Sequence, residues 1–132
     1  MLIVFPLGLL ATSLAFDIAY LATAKPNFGR VSFWMICAGI IGGLLAGVFG
    51  LVDWFSIPDG TRAKSIGLWH GIGNVLVVLL FVGSCWLRFS VPEYMPISGG
   101  GDVVVHGVAL AMVTGWLGGE LVDRLGIGVD QR

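Results

Sequence analysis

Charge is what this sequence has least of. Asp, Glu, Lys and Arg together make up 11 % of it, where soluble domains carry about 25 %. That shortage excludes an ordinary water-soluble globule. The few charges nearly cancel, to a formal −1, so there is no basic surface for a nucleic-acid backbone. Histidine occurs twice and cysteine twice. Cys37 and Cys85 give no metal-ligand spacing, and both read as small packing residues inside apolar runs. Long polar segments are missing as well. The longest stretch between apolar runs is 88–102, which leaves no room for a separate soluble domain. No basic side chain precedes the first apolar run. Ala22-Thr23-Ala24 resembles a signal-peptidase site, but Asp17 interrupts the run and the basic n-region is missing, so a retained helix is expected.

What remains is hydrophobic: 57 % of residues, with a mean hydropathy of +0.96. Four apolar runs fill the chain, each near the roughly 20 residues that a membrane span requires. They predict helices over 2–24, 31–52, 65–87 and 103–122, in one domain covering 1–132. An open strand in lipid would leave its backbone groups unpaired, and four runs are too few for a barrel. The expected fold is therefore an all-α bundle of four transmembrane helices with both termini on one side. Lys25-Pro26-Asn27 stops the first helix, because proline lacks an N–H and restricts the residue before it. Pro58-Asp59-Gly60 is a turn signal, and Pro92, Pro96 and Gly99-Gly100-Gly101 mark the last loop. Trp34, Trp54, Trp69, Trp86 and Trp116 lie toward run ends, where amphipathic rings meet the membrane–water boundary.

Small residues recur every four positions: Ala11, Ala15 and Ala19; Gly39, Gly43 and Gly47 beside Gly42, Ala46 and Gly50; Gly67 and Gly71; Gly107, Ala111, Gly115 and Gly119. That spacing keeps them on one helix face, where backbones can approach closely. The ridges pack the bundle internally or face another subunit, in a homo-oligomer or with a membrane partner. The second run has more small surface than one neighbour would cover.

Ionisable groups at membrane depth are costly and are functional candidates by default. Asp17 and His106 are expected at similar depth near the loop face, as a proton relay or a static pair. The alternative is a neutral Asp17 bonded to a neighbouring helix. At the terminal face, Asp53 and Trp54 end the second run, Arg62 and Lys64 follow it, His70 and Asn74 lie one turn apart, and Glu120, Asp123 and Arg124 end the fourth run. This cluster suits a polar head group, a quinone ring, a haem propionate or a partner. Equally, it suits an ion-pair network that fixes the loops. His70 and Asn74 are expected to face the interior, with at least one of them bonded to Asp53, Arg62 or Glu120. A haem held by both histidines is excluded, because the antiparallel path separates them by about 20 Å at helical rise. Only His70 with an external ligand remains for haem b. No residue set gives a metal site or a catalytic constellation, so an enzyme is not expected.

Several stretches together resemble one family. They are Phe5-Pro6-Leu7-Gly8-Leu9-Leu10 with Asp17, Gly50-Leu51-Val52-Asp53-Trp54, Ile57-Pro58-Asp59-Gly60-Thr61-Arg62-Ala63-Lys64, His70 with Asn74, and Gly115-Trp116-Leu117-Gly118-Gly119-Glu120-Leu121-Val122 through Gly126-Ile127-Gly128-Val129. The chain resembles the bacterial membrane proteins grouped as domain of unknown function 2231. It departs from them at Val4 and Leu125, where histidine is common. The resemblance implies a multi-pass bacterial inner-membrane protein with its site on the terminal face. It also implies association with redox proteins, since such members are sometimes fused to Rieske or cytochrome c modules. Arg62, Lys64, Arg124 and Arg132, against Lys25, Arg30 and Arg88, favour termini in the cytoplasm. The functional expectation is an accessory or anchoring subunit of a membrane redox assembly, in contact with the bilayer. The alternatives are a haem b subunit using His70, or a small transporter or proton conductor using Asp17 and His106.

Overall fold

The computed structural model describes residues 4–96 and 100–125. It contains four helices: α1 (Val4–Thr23), α2 (Pro26–Ser56), α3 (Arg62–Phe89) and α4 (Gly100–Asp123), with a single 3-10 turn at Pro92–Tyr94. All four are long and apolar enough to cross a membrane, and no strand occurs among the described residues. The closing Gly126–Val129 motif and Arg132 lie outside the described residues.

All four helices differ from their expected bounds, and α4 already starts at Gly100, inside the glycine stretch expected to be loop; the starts of α2 and α3 share one reason. Pro26 ends the first helix and also starts the second. It occupies the first turn of α2, where the missing N–H costs nothing and the fixed φ suits a helix. Only Ala24, at φ 54°, and extended Lys25 separate α1 from α2. At the other end, α3 begins three residues before its apolar run. Thr61 caps it, accepting a hydrogen bond from the Lys64 N–H at 3.2 Å. Polar first turns thus lengthen helices whose apolar stretches alone would be shorter.

Consecutive helices pack side by side, and α4 returns against α1 to close an up-down ring. The core runs through Leu10, Ile36, Val77, Phe81, Val104 and Ala111. Glycine lets α4 approach Phe81: a Cβ on Gly107 would sit 2.9 Å from the ring. One on Gly39 would meet Leu10 at 2.5 Å. Gly43 makes only ordinary contact with Val78, at 3.5 Å, and Gly115 reaches Leu7 at 4.0 Å. Gly119 meets only Asp123 of its own helix, and Gly47 has nothing within 4 Å. The small-residue stripes therefore divide into packed and unpacked parts.

The division follows from helix length. Gly42 of α2 lies against Phe5 and Pro6 in the first turn of α1. Beyond that level α2 continues to Ser56, about 20 Å further at helical rise, past the first described residue of α1, Val4. Accordingly Leu44, Leu45, Val48, Phe49, Leu51, Val52 and Phe55 are all more than half exposed. Gly47 and Gly50 of α2, and Gly71 of α3, have open space where a Cβ would go.

Candidate functional site

The two buried charged side chains among the described residues form an ion pair. Arg88 of α3 is fully buried and Asp17 of α1 is 2 % exposed. The guanidinium donates from Nη1 to Asp17 Oδ1 at 2.9 Å and from Nη2 to Oδ2 at 2.5 Å. Nη1 also donates to Ser32 Oγ of α2 at 3.2 Å, and Ser32 Oγ donates onward to the Ser13 carbonyl at 3.0 Å. One fork of donors thus joins three helices. Bidentate geometry suits a planar guanidinium and a carboxylate. The expected Asp17–His106 pair is corrected here: both carboxylate oxygens face Arg88, and His106 is exposed on α4. Arg88 itself was missed as a site residue, because a cation near a helix end ordinarily snorkels to water. Above the pair, the last loop folds back: Tyr94 stacks on Phe33, Tyr20 Oη meets Met95 Sδ, and Arg30 pairs with Glu93.

The terminal-face residues fall into separate groups rather than one cluster. The first is a clasp on the α2–α3 turn. Lys64 Nζ donates to the carbonyls of Trp54 and Ile57, both at 3.0 Å, and lies 4.1 Å from the centre of the Trp54 ring. Trp54 Nε1 donates to the Lys64 carbonyl at 3.1 Å. A cation at the end of α2 serves its orphan carbonyls and its dipole. The second group ties the start of α3 to the end of α4: Glu120 accepts from Arg62 at 2.7 Å, with Arg124 at 3.7 Å. Asp53 is exposed on α2 and has no polar partner among the described residues. Trp54, Arg62 and Glu120 therefore secure loops and helix ends.

The third group lies deeper. His70 and Asn74 do bond, but to each other and to α4, not to Asp53, Arg62 or Glu120. His70 Nδ1 is 2.7 Å from the Thr114 carbonyl, and Asn74 Nδ2 is 2.9 Å from His70 Nε2. Thr114 Oγ1 is 3.3 Å from Asn74 Oδ1. A carbonyl only accepts, so Nδ1 carries a proton and donates. Nε2 then accepts from the Asn74 amide. Both ring nitrogens are thereby occupied inside the bundle. Gly118 lets the two helices close around the ring, since a Cβ there would lie 2.9 Å from His70 Cε1. The partner that sequence reasoning lacked was Thr114, one of four threonines in the chain.

This network bears on cofactors. An iron ligated by His70 would have to take a nitrogen from Thr114 or Asn74. The two histidines are also remote from each other. The Gly107–Phe81 and Gly118–His70 contacts set the α3–α4 register, which puts His106 about 18 Å along the bundle from His70 at helical rise. Among the described residues, no three His, Cys, Asp or Glu side chains gather around a metal position. We expect the ¹⁵N spectrum of His70 in lipid nanodiscs to report a protonated Nδ1 and a bare Nε2. A protonated Nε2 would mean that the ring does not sit in this network.

Cys37 and Cys85 depart most from their expected role. They are not isolated packing residues, because their Sγ atoms lie 3.6 Å apart across the α2–α3 seam.

Fold and site together define a class: a small multi-pass membrane bundle whose intramembrane polar groups bond mainly to one another. Within that class the chain belongs to the family described as predicted membrane protein (DUF2231), whose family model matches residues 1–131. No curated protein and no solved structure matches the chain.

Proposed function

We propose that this protein is a non-catalytic anchoring subunit, docking a membrane partner along the uncovered half of α2. The carrying observation is the mismatch between α1 and α2. A helix face of small residues, Gly47 and Gly50, stands open past the first described residue of α1, and Gly71 of α3 is open as well. Bulky apolar side chains flank it. In lipid, close backbone approach supplies much of the drive for helix association, and here the approach surface is preformed. The occupant we assign is a transmembrane helix of a partner protein. The family resemblance makes that partner an electron-transfer protein.

The internal polar groups support an anchoring role over the alternatives. Asp17 is clamped by Arg88 through both oxygens, which suits a structural lock better than a proton carrier. His70 has both nitrogens engaged, which suits a helix tie better than an axial ligand.

The test is purification from native membranes in mild detergent, read by native mass and by a reduced-minus-oxidised spectrum. The wild type should migrate above its monomer mass with a redox-active partner. Gly47→Leu/Gly50→Leu should release the partner without unfolding the bundle, because a Cβ at either position has nothing within 4 Å among the described residues. A wild type that runs alone, or a variant that keeps its partner, would refute the proposal. A haem b band from the isolated chain would favour the electron-transfer subunit instead.

A further inference from the structure

We propose that Cys37 and Cys85 form a reversible dithiol–disulfide site within the bilayer. Its oxidant is a lipid-soluble acceptor of two electrons and two protons, the chemistry of azo compounds and quinones. The inference is independent of the anchoring role. Both cysteines are free thiols with Sγ atoms 3.6 Å apart. A disulfide is about 2.05 Å long, so closure requires an approach of roughly 1.5 Å, within reach of small side-chain rotations.

The juxtaposition is a property of the hairpin, not of one rotamer. Cys37 and Cys85 stand equally far in sequence from Thr61, in the α2–α3 turn. The neighbouring Gly43–Val78 contact keeps the same register, and the Trp54–Lys64 clasp fixes the turn. The two thiols therefore face each other wherever the hairpin forms.

Access comes from the hydrocarbon side. Each cysteine is half-buried. Trp34 and Ile41 beside Cys37 are 60 % and 62 % exposed, and Trp86 beside Cys85 is 81 % exposed. The pair thus lies at the outer edge of the seam, where a reagent dissolved in lipid reaches it. In the reaction each thiol gives up one proton and one electron, and a single S–S bond forms. The acceptor takes both protons and both electrons, an azo group becoming a hydrazine or a quinone becoming a quinol. A dithiol reductant reverses the exchange. The bond would tie α2 to α3 one turn from Arg88.

The experiment uses the full chain in nanodiscs, treated with diamide and then dithiothreitol. After each step the protein is denatured, its thiols are alkylated with a maleimide-polymer, and its peptides are mapped without reduction. Diamide should remove both reactive thiols together. It should lower the monomer mass by two hydrogens and yield one linked peptide pair containing Cys37 and Cys85. Dithiothreitol should restore both thiols. Cys37→Ser should keep one alkylatable thiol throughout. Two thiols still reactive after diamide, or links only between chains, would overturn the assignment. The wild-type result stands alone if the serine variant fails to fold.

Discussion

Arg88→Met should destabilise the bundle by about 3–5 kcal/mol, the usual cost of leaving one member of a buried ion pair without its partner. The residual group is Asp17, 2 % exposed and closed off by α1, α2 and α3. Ser32 would be left as the only polar side chain of the network near it, and a hydroxyl does not balance a carboxylate. Asp17→Leu should cost a similar amount, because it strands the guanidinium. The double variant Asp17→Leu/Arg88→Met should recover most of the loss. Replacing a buried pair by apolar groups of similar volume is often neutral or better. Denaturant titration of the purified protein, followed by tryptophan fluorescence, measures all three. A double variant as unstable as either single one would mean that the network contributes something other than charge balance. Single variants that unfold with the wild type would mean that the pair is not formed in the membrane.

The same pair shows where the sequence was readable. Asp17 stood out at once, as an acid inside an apolar run. The cation was in view too, but Arg88 lies two residues from Ser90 at the end of its helix, where arginine ordinarily reaches water. Its rotation about the helix axis decides between snorkelling and burial, and no single residue records that rotation. A stripe does. Ser84 precedes Arg88 by one turn, Ser13 precedes Asp17 by one turn, and Ser32 sits on the helix between them; all three serines are fully buried. Serines spaced with a charge along apolar helices mark the polar seam that both face.

Helix number and class were legible because lipid leaves the backbone few options. Helix lengths were less so. Apolar runs report the part of each helix in hydrocarbon, while α2 and α3 extend into polar turns capped by Thr61 and Lys64. The second half of α2 keeps α3 beside it but runs past the first described residue of α1, Val4. Topology gathers the terminal-face residues toward one end of the bundle, but their depth along it is not legible in the sequence. His70 lies about 12 Å along α3 from Arg62 at helical rise, which splits the cluster. The cysteine pair was readable in principle, since an antiparallel hairpin pairs positions equidistant from its turn.

Gly73→Ala should destabilise the α3–α4 contact by about 1–3 kcal/mol, the range for overpacking a tight interior. Sequence reading passed over this glycine, yet it makes the closest approach of any in the described chain. A Cβ at Gly73 would lie 2.2 Å from Thr114 Cγ2. Thr114 cannot simply turn aside. Its hydroxyl lies 3.1 Å from the Ala111 carbonyl and 3.3 Å from Asn74, and its own carbonyl accepts from His70. Moving it disturbs the network that holds the two helices in register. Thr114→Ser removes the clashing methyl and keeps the hydroxyl, so Gly73→Ala in that background should regain most of the lost stability. Gly71→Ala, two residues away on the same helix, meets nothing within 4 Å and should be neutral or slightly stabilising, since alanine favours a helix over glycine. Thermal unfolding in one detergent compares the set directly. Equal behaviour of the Gly71 and Gly73 variants would mean that α3 and α4 do not approach this closely. A Gly73 defect that Thr114→Ser leaves unrelieved would place the clash elsewhere.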